Sequence, residues 1–314
     1  MKKVVVLGGG TGMSTLLKGL KLFPLDITAV VSVSDDGKST GRLREEFNTI
    51  AVGDIRRVIV SLAETEPLIE KLMNYRFETT SDLNGHTVGN LILTALANIT
   101  GNMSDGIESL SNVFNLHGKV LPLTEDNVIL AATMMDNKNI IGEHNITEYN
   151  GQIKKVYYKE KSTTNPLVLE AVRNADLIIL SMGSLYTSVI PNLINSDIKK
   201  EIKNSKAKIM YICNMMTQPG ETDNFKASDH IKALNKYLGK RKVDIIIAND
   251  GNISEEVIKK YKDSEQKDVV EFDKENLKKL SLHIIHNNYV DYSEGYLRHK
   301  VDKLALDIYA YLIK

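Results

Sequence analysis

Lys3-Val4-Val5-Val6-Leu7-Gly8-Gly9-Gly10-Thr11-Gly12-Met13-Ser14 is the stretch that decides the fold. An apolar, β-branched run gives way to four glycines within five positions, and a helical pattern over 14–22 follows. Strand, glycine turn, helix is the opening of a nucleotide-binding α/β unit. Outward from it, further apolar runs at 27–33, 177–182, 209–213 and 243–248 read as strands. They are near-continuously apolar, as strands buried on both faces of a parallel sheet are. Helical patterns occupy 55–64, 88–99, 105–116, 166–175, 227–238 and 297–313. The alternation predicts an α/β fold with a doubly wound, mostly parallel sheet. The middle differs: strand-like runs at 119–123, 128–135 and 152–160, joined by polar turns, predict a small antiparallel excursion at about 117–162. No Pro/Gly/Ser-rich linker or repeat divides the chain, so 1–314 reads as one domain.

Composition removes several classes of function. The 314 residues carry 40 Lys plus Arg against 40 Asp plus Glu, so no basic field attracts nucleic acid. The single cysteine, Cys213, excludes an internal disulfide. The apolar run behind Lys2-Lys3 ends at Gly8, too short for an export signal or a membrane span. The expectation is a cytoplasmic protein with no membrane insertion.

The polar motifs follow strands. Gly8–Gly12 follows the first, Ser34-Asp35-Asp36-Gly37-Lys38-Ser39-Thr40-Gly41-Arg42 the second, and Gly183-Ser184-Leu185-Tyr186-Thr187-Ser188 the third. Asn214-Met215-Met216-Thr217-Gln218-Pro219-Gly220-Glu221-Thr222 follows the fourth, and Asn249-Asp250-Gly251-Asn252 the fifth. Parallel strands send all five loops to one sheet edge, where open α/β sheets bind ligands. In the first loop, Gly9, Gly10 and Gly12 let backbone N–H groups approach an anion at a helix start, with Thr11 adding a hydroxyl. The dinucleotide fingerprint fails, because Met13 or Thr15 stands where its third glycine belongs, which disfavours NAD. Gly37-Lys38-Ser39 imitates an ATP-binding P-loop, but Ser32 stands where the motif's first glycine is needed. Asp35 and Asp36 suit a ribose hydroxyl, a metal ion or a helix cap. Lys38, Ser39 and Arg42 are phosphate-contact candidates, Asp54 an N-cap by position, and His86 a candidate proton donor. His283 and His286 fall on opposite faces of any strand, which argues against a zinc site. The charged run 259–267 reads as a solvated helix face.

Taken together, Gly8–Gly12, Asp35-Asp36-Gly37, Ser39-Thr40-Gly41-Arg42-Leu43-Arg44, Gly53-Asp54-Ile55-Arg56, His86-x-x-Gly89-Asn90-Leu91, Gly183-Ser184-x-Tyr186-Thr187-Ser188 with Pro191-Asn192-Leu193, and Cys213-Asn214-x-Met216-Thr217-Gln218-Pro219-Gly220-Glu221-Thr222 form a specific set. The set resembles the YvcK-like gluconeogenesis-factor family, in the superfamily of the CofD 2-phospho-L-lactate transferases. The resemblance runs from Met1 to the C-terminal helix. It implies a modified Rossmann-like sheet, a UDP-sugar ligand (UDP-N-acetylglucosamine or UDP-glucose), and a role in cell-wall growth and cell shape on gluconeogenic carbon sources. It also implies a homodimer. Asn90, Ser184, Thr187, Asn192, Asn214, Thr217 and Gln218 join the glycine loop as expected ligand contacts. Tyr261 and Arg298 resemble the family's UDP-sugar-contacting tyrosine and arginine. No cofactor is required for binding in that reading. The alternative is a magnesium-dependent transferase acting on a diphosphate-activated donor, with the metal on Asp35 or Asp36 and His86 as a further catalytic candidate. The chain departs from the family with Lys38 after Gly37, Thr40 in place of a serine, Arg57 in place of an asparagine, and Lys300-Val301 in place of an Asp and a phosphorylatable Thr.

Overall fold

The computed structural model describes residues 1–64, 66–293 and 296–314, apart from the side chains of Lys38 and Ser293. The strands are β1 (Lys2–Gly8), β2 (Leu25–Val31), β3 (Lys119–Pro122), β4 (Leu130–Met134), β5 (Asn139–Ile141), β6 (Ile153–Tyr158), β7 (Leu177–Leu180), β8 (Lys208–Ile212), β9 (Ile245–Asn249), β10 (His283–Asn287), β11 (Val290–Ser293) and β12 (Tyr296–His299). The helices are α1 (Gly10–Leu20), α2 (Lys38–Phe47), α3 (Gly53–Leu62), α4 (Pro67–Asn74), α5 (Val88–Thr100), α6 (Met103–Val113), α7 (Glu143–Glu148), α8 (Pro166–Asn174), α9 (Ser196–Asn204), α10 (Ala227–Leu238), α11 (Glu255–Glu265), α12 (Lys274–Lys278) and α13 (Val301–Ile313).

Seven strands form one sheet in the order β10-β9-β8-β7-β1-β2-β3, every neighbouring pair parallel. The apolar runs explain the burial. Val4 to Leu7, Ile178 to Leu180 and Ile209 to Ile212 are each 2% exposed or less, so they pack between helices on both faces. The strand order reverses between β1 and β7, which pair with Leu7 opposite Leu180. That reversal is the topological switch point, where two successive crossovers leave in opposite directions and a crevice opens.

Three readings of the sequence are corrected. The run at 119–123 does not belong to the antiparallel excursion: β3 pairs parallel with β2 and closes the main sheet. The antiparallel sheet is β5-β4-β6 alone. A short apolar run looks the same in either sheet, so periodicity did not separate them. The second correction is β10, a seventh parallel strand absent from the five read first. Its outer residues are half-exposed at the sheet edge, and this weakens the apolar signal. On it, His283 stacks toward Tyr311, whereas His286 sits on Phe272 and Asp250, so the two histidines do not converge. Third, the helical pattern at 297–313 begins too early. Residues 296–299 form β12, antiparallel to β11, and the helix starts at Val301. Its apolar stripe behaves as read: Leu304, Ala305 and Ile308 are fully buried. Val301 lies so close to Gly19 of α1 that a β-carbon there would be 2.5 Å from Val301 Cγ1.

Candidate ligand-binding site

A cavity of about 380 Å3 lies at the carboxyl ends of β1, β7 and β8, beside the switch point. Three loops supply its floor: Thr11, Gly12 and Thr15; Met182, Gly183 and Ser184; and Asn214 to Gln218. Tyr261, Glu265 and Lys267 at the end of α11, with Tyr296 to His299 of β12, complete it. Of the expected contacts, Thr11, Gly12, Ser184, Asn214, Thr217, Gln218, Tyr261 and Arg298 therefore come together.

The loop geometry follows from close packing. A β-carbon at Gly12 would lie 2.4 Å from the Met182 carbonyl oxygen, so the first turn of α1 sits directly on the end of β7. Gly10 has φ +68°, a conformation that side chains resist. The glycine count is thus explained by packing, and the ligand argument rests on the cavity instead. The N-cap Gly9 brings no side chain to α1, Asp54 takes the Gly10 N–H, and Thr11 and Gly12 of the same first turn, where N–H groups have no partner within the helix, lie at the cavity wall. Asn214 ties two floor loops together: its Oδ1 accepts from the Gly183 N–H at 2.9 Å, and its Nδ2 donates to the Gly183 carbonyl at 2.6 Å.

Glu221 fixes the loop that runs from Gly183 to Ser188. Its buried carboxylate accepts from the Ser184 hydroxyl at 2.6–2.7 Å and from the Tyr186 N–H at 3.0 Å. Burial raises its pKa, and the Ser184 and Tyr186 bonds act against that rise. The Ser184 and Thr187 hydroxyls bond each other and Glu221, so both serve the loop's shape. Thr187 and Asn192 do not line the cavity. Asn192 is fully buried and donates to the carbonyls of Gly8 and Ser188, underpinning the glycine loop. Thr217 accepts from the Asp268 N–H at 2.9 Å and donates its own N–H to the Asp268 carbonyl at 2.8 Å. Gln218 leaves its side-chain oxygen buried without a partner among the described residues.

The far wall is a small docked hairpin. Tyr261 is buried, and its hydroxyl accepts from the Leu297 N–H at 2.8 Å. His299 Nε2 reaches the Cys213 carbonyl at 3.2 Å, and burial pushes its pKa down to about 4, so it donates as a neutral ring. Met215, Ile253, Tyr261 and Leu297 form an apolar cluster separate from the main core. Arg298 lies on β12, opposite Asp291 in register, rather than at a helix start. Its guanidinium lies 5.4 Å from the Tyr296 ring centre.

The second loop lies elsewhere on the same sheet edge. Asp36 accepts from the Glu143 and His144 N–H groups, so it caps α7 of the excursion. Asp35 accepts from the Gly37 N–H at 3.0 Å. Asp54 is not the N-cap of α3, a position Val52 holds; it is buried against Gly9, accepts from the Gly10 N–H and pairs with Arg57 at 2.7 Å. Burial raises its pKa, and Arg57 opposes the rise. Glu143 stands nearby with a pKa raised to about 7 by burial and by the Asp35 charge. As arranged, both Asp36 oxygens are taken by backbone N–H groups, and among the described residues no group of three or more His, Cys, Asp or Glu forms a metal site. Ser39 and His86 meet each other, hydroxyl to Nδ1 at 3.1 Å, away from the cavity. Arg42 is exposed on α2, and Asn90 is buried at the start of α5, where its N–H donates to the hydroxyl of the Thr87 cap. The Lys38 side chain lies outside the described residues. The fifth loop also misses the cavity: Asn249 accepts from the Tyr289 N–H and so supports the hairpin.

A model of the family described as 2-phospho-L-lactate transferase CofD matches residues 4–290. The chain belongs to the CofD family. Among its CofD-family relatives, the gluconeogenesis factor of Bacillus subtilis is 45% identical over 304 residues, 96% of each chain. A putative gluconeogenesis factor of Thermotoga maritima is 47% identical over 307 residues, covering 96% of this chain and 97% of the relative. An X-ray crystal structure of a protein from Bacillus halodurans superposes with a TM-score of 0.95 at 44% identity, covering 98% of this chain and 99% of the other. This CofD-family chain therefore shares fold and length with the gluconeogenesis-factor branch. Among the described residues, no helix is long and apolar enough to cross a membrane.

Several residues that build the site carry little signal in the sequence. Glu265 and Lys267, on the wall, sit inside a charged run that reads as a solvated face, and Glu221, which supports the Ser184 loop from beneath, shows only as part of its motif. His299 carried no signal, because its role depends on the hairpin turning back onto Cys213.

Proposed function

We propose that the protein is a UDP-sugar-binding regulatory factor of the gluconeogenesis-factor type, acting in the cytoplasm in support of cell-wall growth and cell shape on gluconeogenic carbon sources. The observation that carries the reading is the composition of the cavity at the switch point. One wall offers the first turn of α1 at Thr11 and Gly12, a helix start suited to a diphosphate. Another offers Arg298, a planar cation suited to phosphate or a pyrimidine carbonyl. Gln218 also lines the cavity, and its buried side-chain oxygen, without a partner among the described residues, could take a donor such as a uracil N–H or a sugar hydroxyl once the side chain turns to the ligand. The names of the curated relatives support the gluconeogenesis-factor part of the proposal.

Calorimetry with UDP-N-acetylglucosamine, UDP-glucose and NAD tests it: a saturable UDP-sugar isotherm supports the reading, and tighter NAD binding overturns it. The family model is described as a transferase, so the same incubation with Mg2+ is followed by mass spectrometry. Turnover of the UDP-sugar would replace the regulatory reading with a catalytic one.

A further inference from the structure

The charged side chains on the cavity wall, besides the neutral His299, are Arg298, Lys267 and Glu265. Arg298 has no carboxylate partner among the described residues and is steadied by the Tyr296 ring. Lys267 is held differently: its Nζ lies 2.6 Å from Glu265 Oε2. The segment that carries it is fixed at both ends. Gln266 ends α11 with φ +53°, and the Lys267 N–H bonds the Tyr261 carbonyl at 3.2 Å. One residue on, Asp268 donates its N–H to the Thr217 hydroxyl and accepts the Thr217 N–H at its carbonyl. Lys267 is thus anchored between the tyrosine that docks the hairpin and the loop that floors the cavity.

From this arrangement we infer that Lys267 is a second phosphate-binding cation of the site, and that Glu265 is its resident counter-ion, displaced from it when a diphosphate ligand enters. The inference rests on the UDP-sugar reading and adds how the site selects its ligand's charge. A diphosphate brings about two negative charges at neutral pH. Arg298 alone leaves one of them unmatched, while Arg298 with Lys267 matches both. An ionised Glu265 opposes the ligand twice, by holding Lys267 and by repelling phosphate in a partly desolvated cavity where charges are weakly screened. A neutral nucleoside does not disturb the Lys267–Glu265 pair. Glu265 therefore acts as a filter: only a ligand with enough negative charge to take over the lysine binds well. A salt bridge between two partly exposed side chains contributes little to folding, so its loss should leave stability nearly unchanged.

The test titrates parent, Lys267→Ala, Lys267→Arg and Glu265→Gln proteins with UDP-N-acetylglucosamine, uridine and inorganic pyrophosphate at two salt concentrations. The expected result is a tenfold or greater loss of UDP-sugar and pyrophosphate affinity in Lys267→Ala, with a flatter salt dependence and unchanged uridine affinity. Lys267→Arg should recover part of the loss, and Glu265→Gln should bind both phosphate ligands at least threefold more tightly than the parent. Parent-like affinity in Lys267→Ala, an equal loss on uridine, or no gain in Glu265→Gln would overturn the inference. If the parent binds pyrophosphate but no UDP-sugar, the UDP-sugar reading fails while the pyrophosphate comparison still decides Lys267. A parent that binds neither overturns both.

Discussion

Replacing Tyr261 by Phe removes one oxygen and keeps the ring, so it isolates the bond that docks the cavity's far wall. The Tyr261 hydroxyl accepts from the Leu297 N–H at 2.8 Å, and both residues are buried. In Tyr261→Phe that N–H stays buried with no acceptor, at a cost of about 1–3 kcal/mol. The cost should fall on the hairpin rather than on the whole fold, because Tyr261 and Leu297 belong to the separate apolar cluster. Other ties to the body remain, among them His299 to the Cys213 carbonyl and the Tyr289 N–H to Asn249 Oδ1 at 2.9 Å. The hairpin should therefore open locally more often, displacing Arg298, the next residue along. At roughly 1.4 kcal/mol per tenfold, ligand affinity should fall about tenfold. Hydrogen exchange at Leu297 and calorimetry with UDP-N-acetylglucosamine read the two effects. In an Arg298→Ala background the affinity loss should shrink, because Tyr261 acts through Arg298. Unchanged exchange at Leu297 together with parent affinity would refute the reasoning.

Further expectations follow from the loops. Glu143 has a folded pKa of about 7, above its ordinary 4.5, so the folded state keeps a proton that the unfolded chain has released. The group favours folding least at high pH: stability falls as pH rises from about 4.5 through 7, by on the order of 1–3 kcal/mol. Urea titrations of Glu143→Gln at pH 5 and pH 8 should show that this slope has gone; a slope equal to the parent's would contradict the assignment. Gly12→Ala sets a β-carbon against the Met182 carbonyl, and such overpacking costs about 1–3 kcal/mol, seen as a lower urea midpoint with weakened ligand binding. An unchanged midpoint would mean that α1 does not rest on β7 as described.

Much of the fold was legible because the buried parallel strands are almost wholly apolar and each ends in a polar loop. That pattern placed β1, β7 and β8 and their loops, and so most of the cavity floor. What it missed has physical causes. β3 and β10 are edge strands, where half-exposed or very short runs blur the signal. Residues 296–299 continued the apolar rhythm of the helix behind them, and only pairing with β11 makes them a strand. In the site, side chains were read as ligand contacts when several are scaffolding. Asn192 supports the Gly8 carbonyl and Thr187 bonds Ser184 and Glu221, while Asp36 takes the helix-cap role, one of its open readings. A sequence shows that a polar residue lies near a site, but not whether another part of the chain has already taken its hydrogen bonds. Tyr261 and Arg298 came from family resemblance alone, since nothing local indicates that α11 and the hairpin close over β8.

The central claim is that the cavity at the β1–β7 switch point takes a UDP-sugar against Arg298. The most direct measurement is calorimetry of UDP-N-acetylglucosamine binding to the parent and to Arg298→Ala, with thermal melts of both free proteins. A charge-assisted contact of about 1.5–3 kcal/mol predicts a tenfold or larger loss of affinity, with melting temperatures that agree because Arg298 is exposed. Equal affinity in the two proteins would leave Arg298 a surface charge and contradict the account.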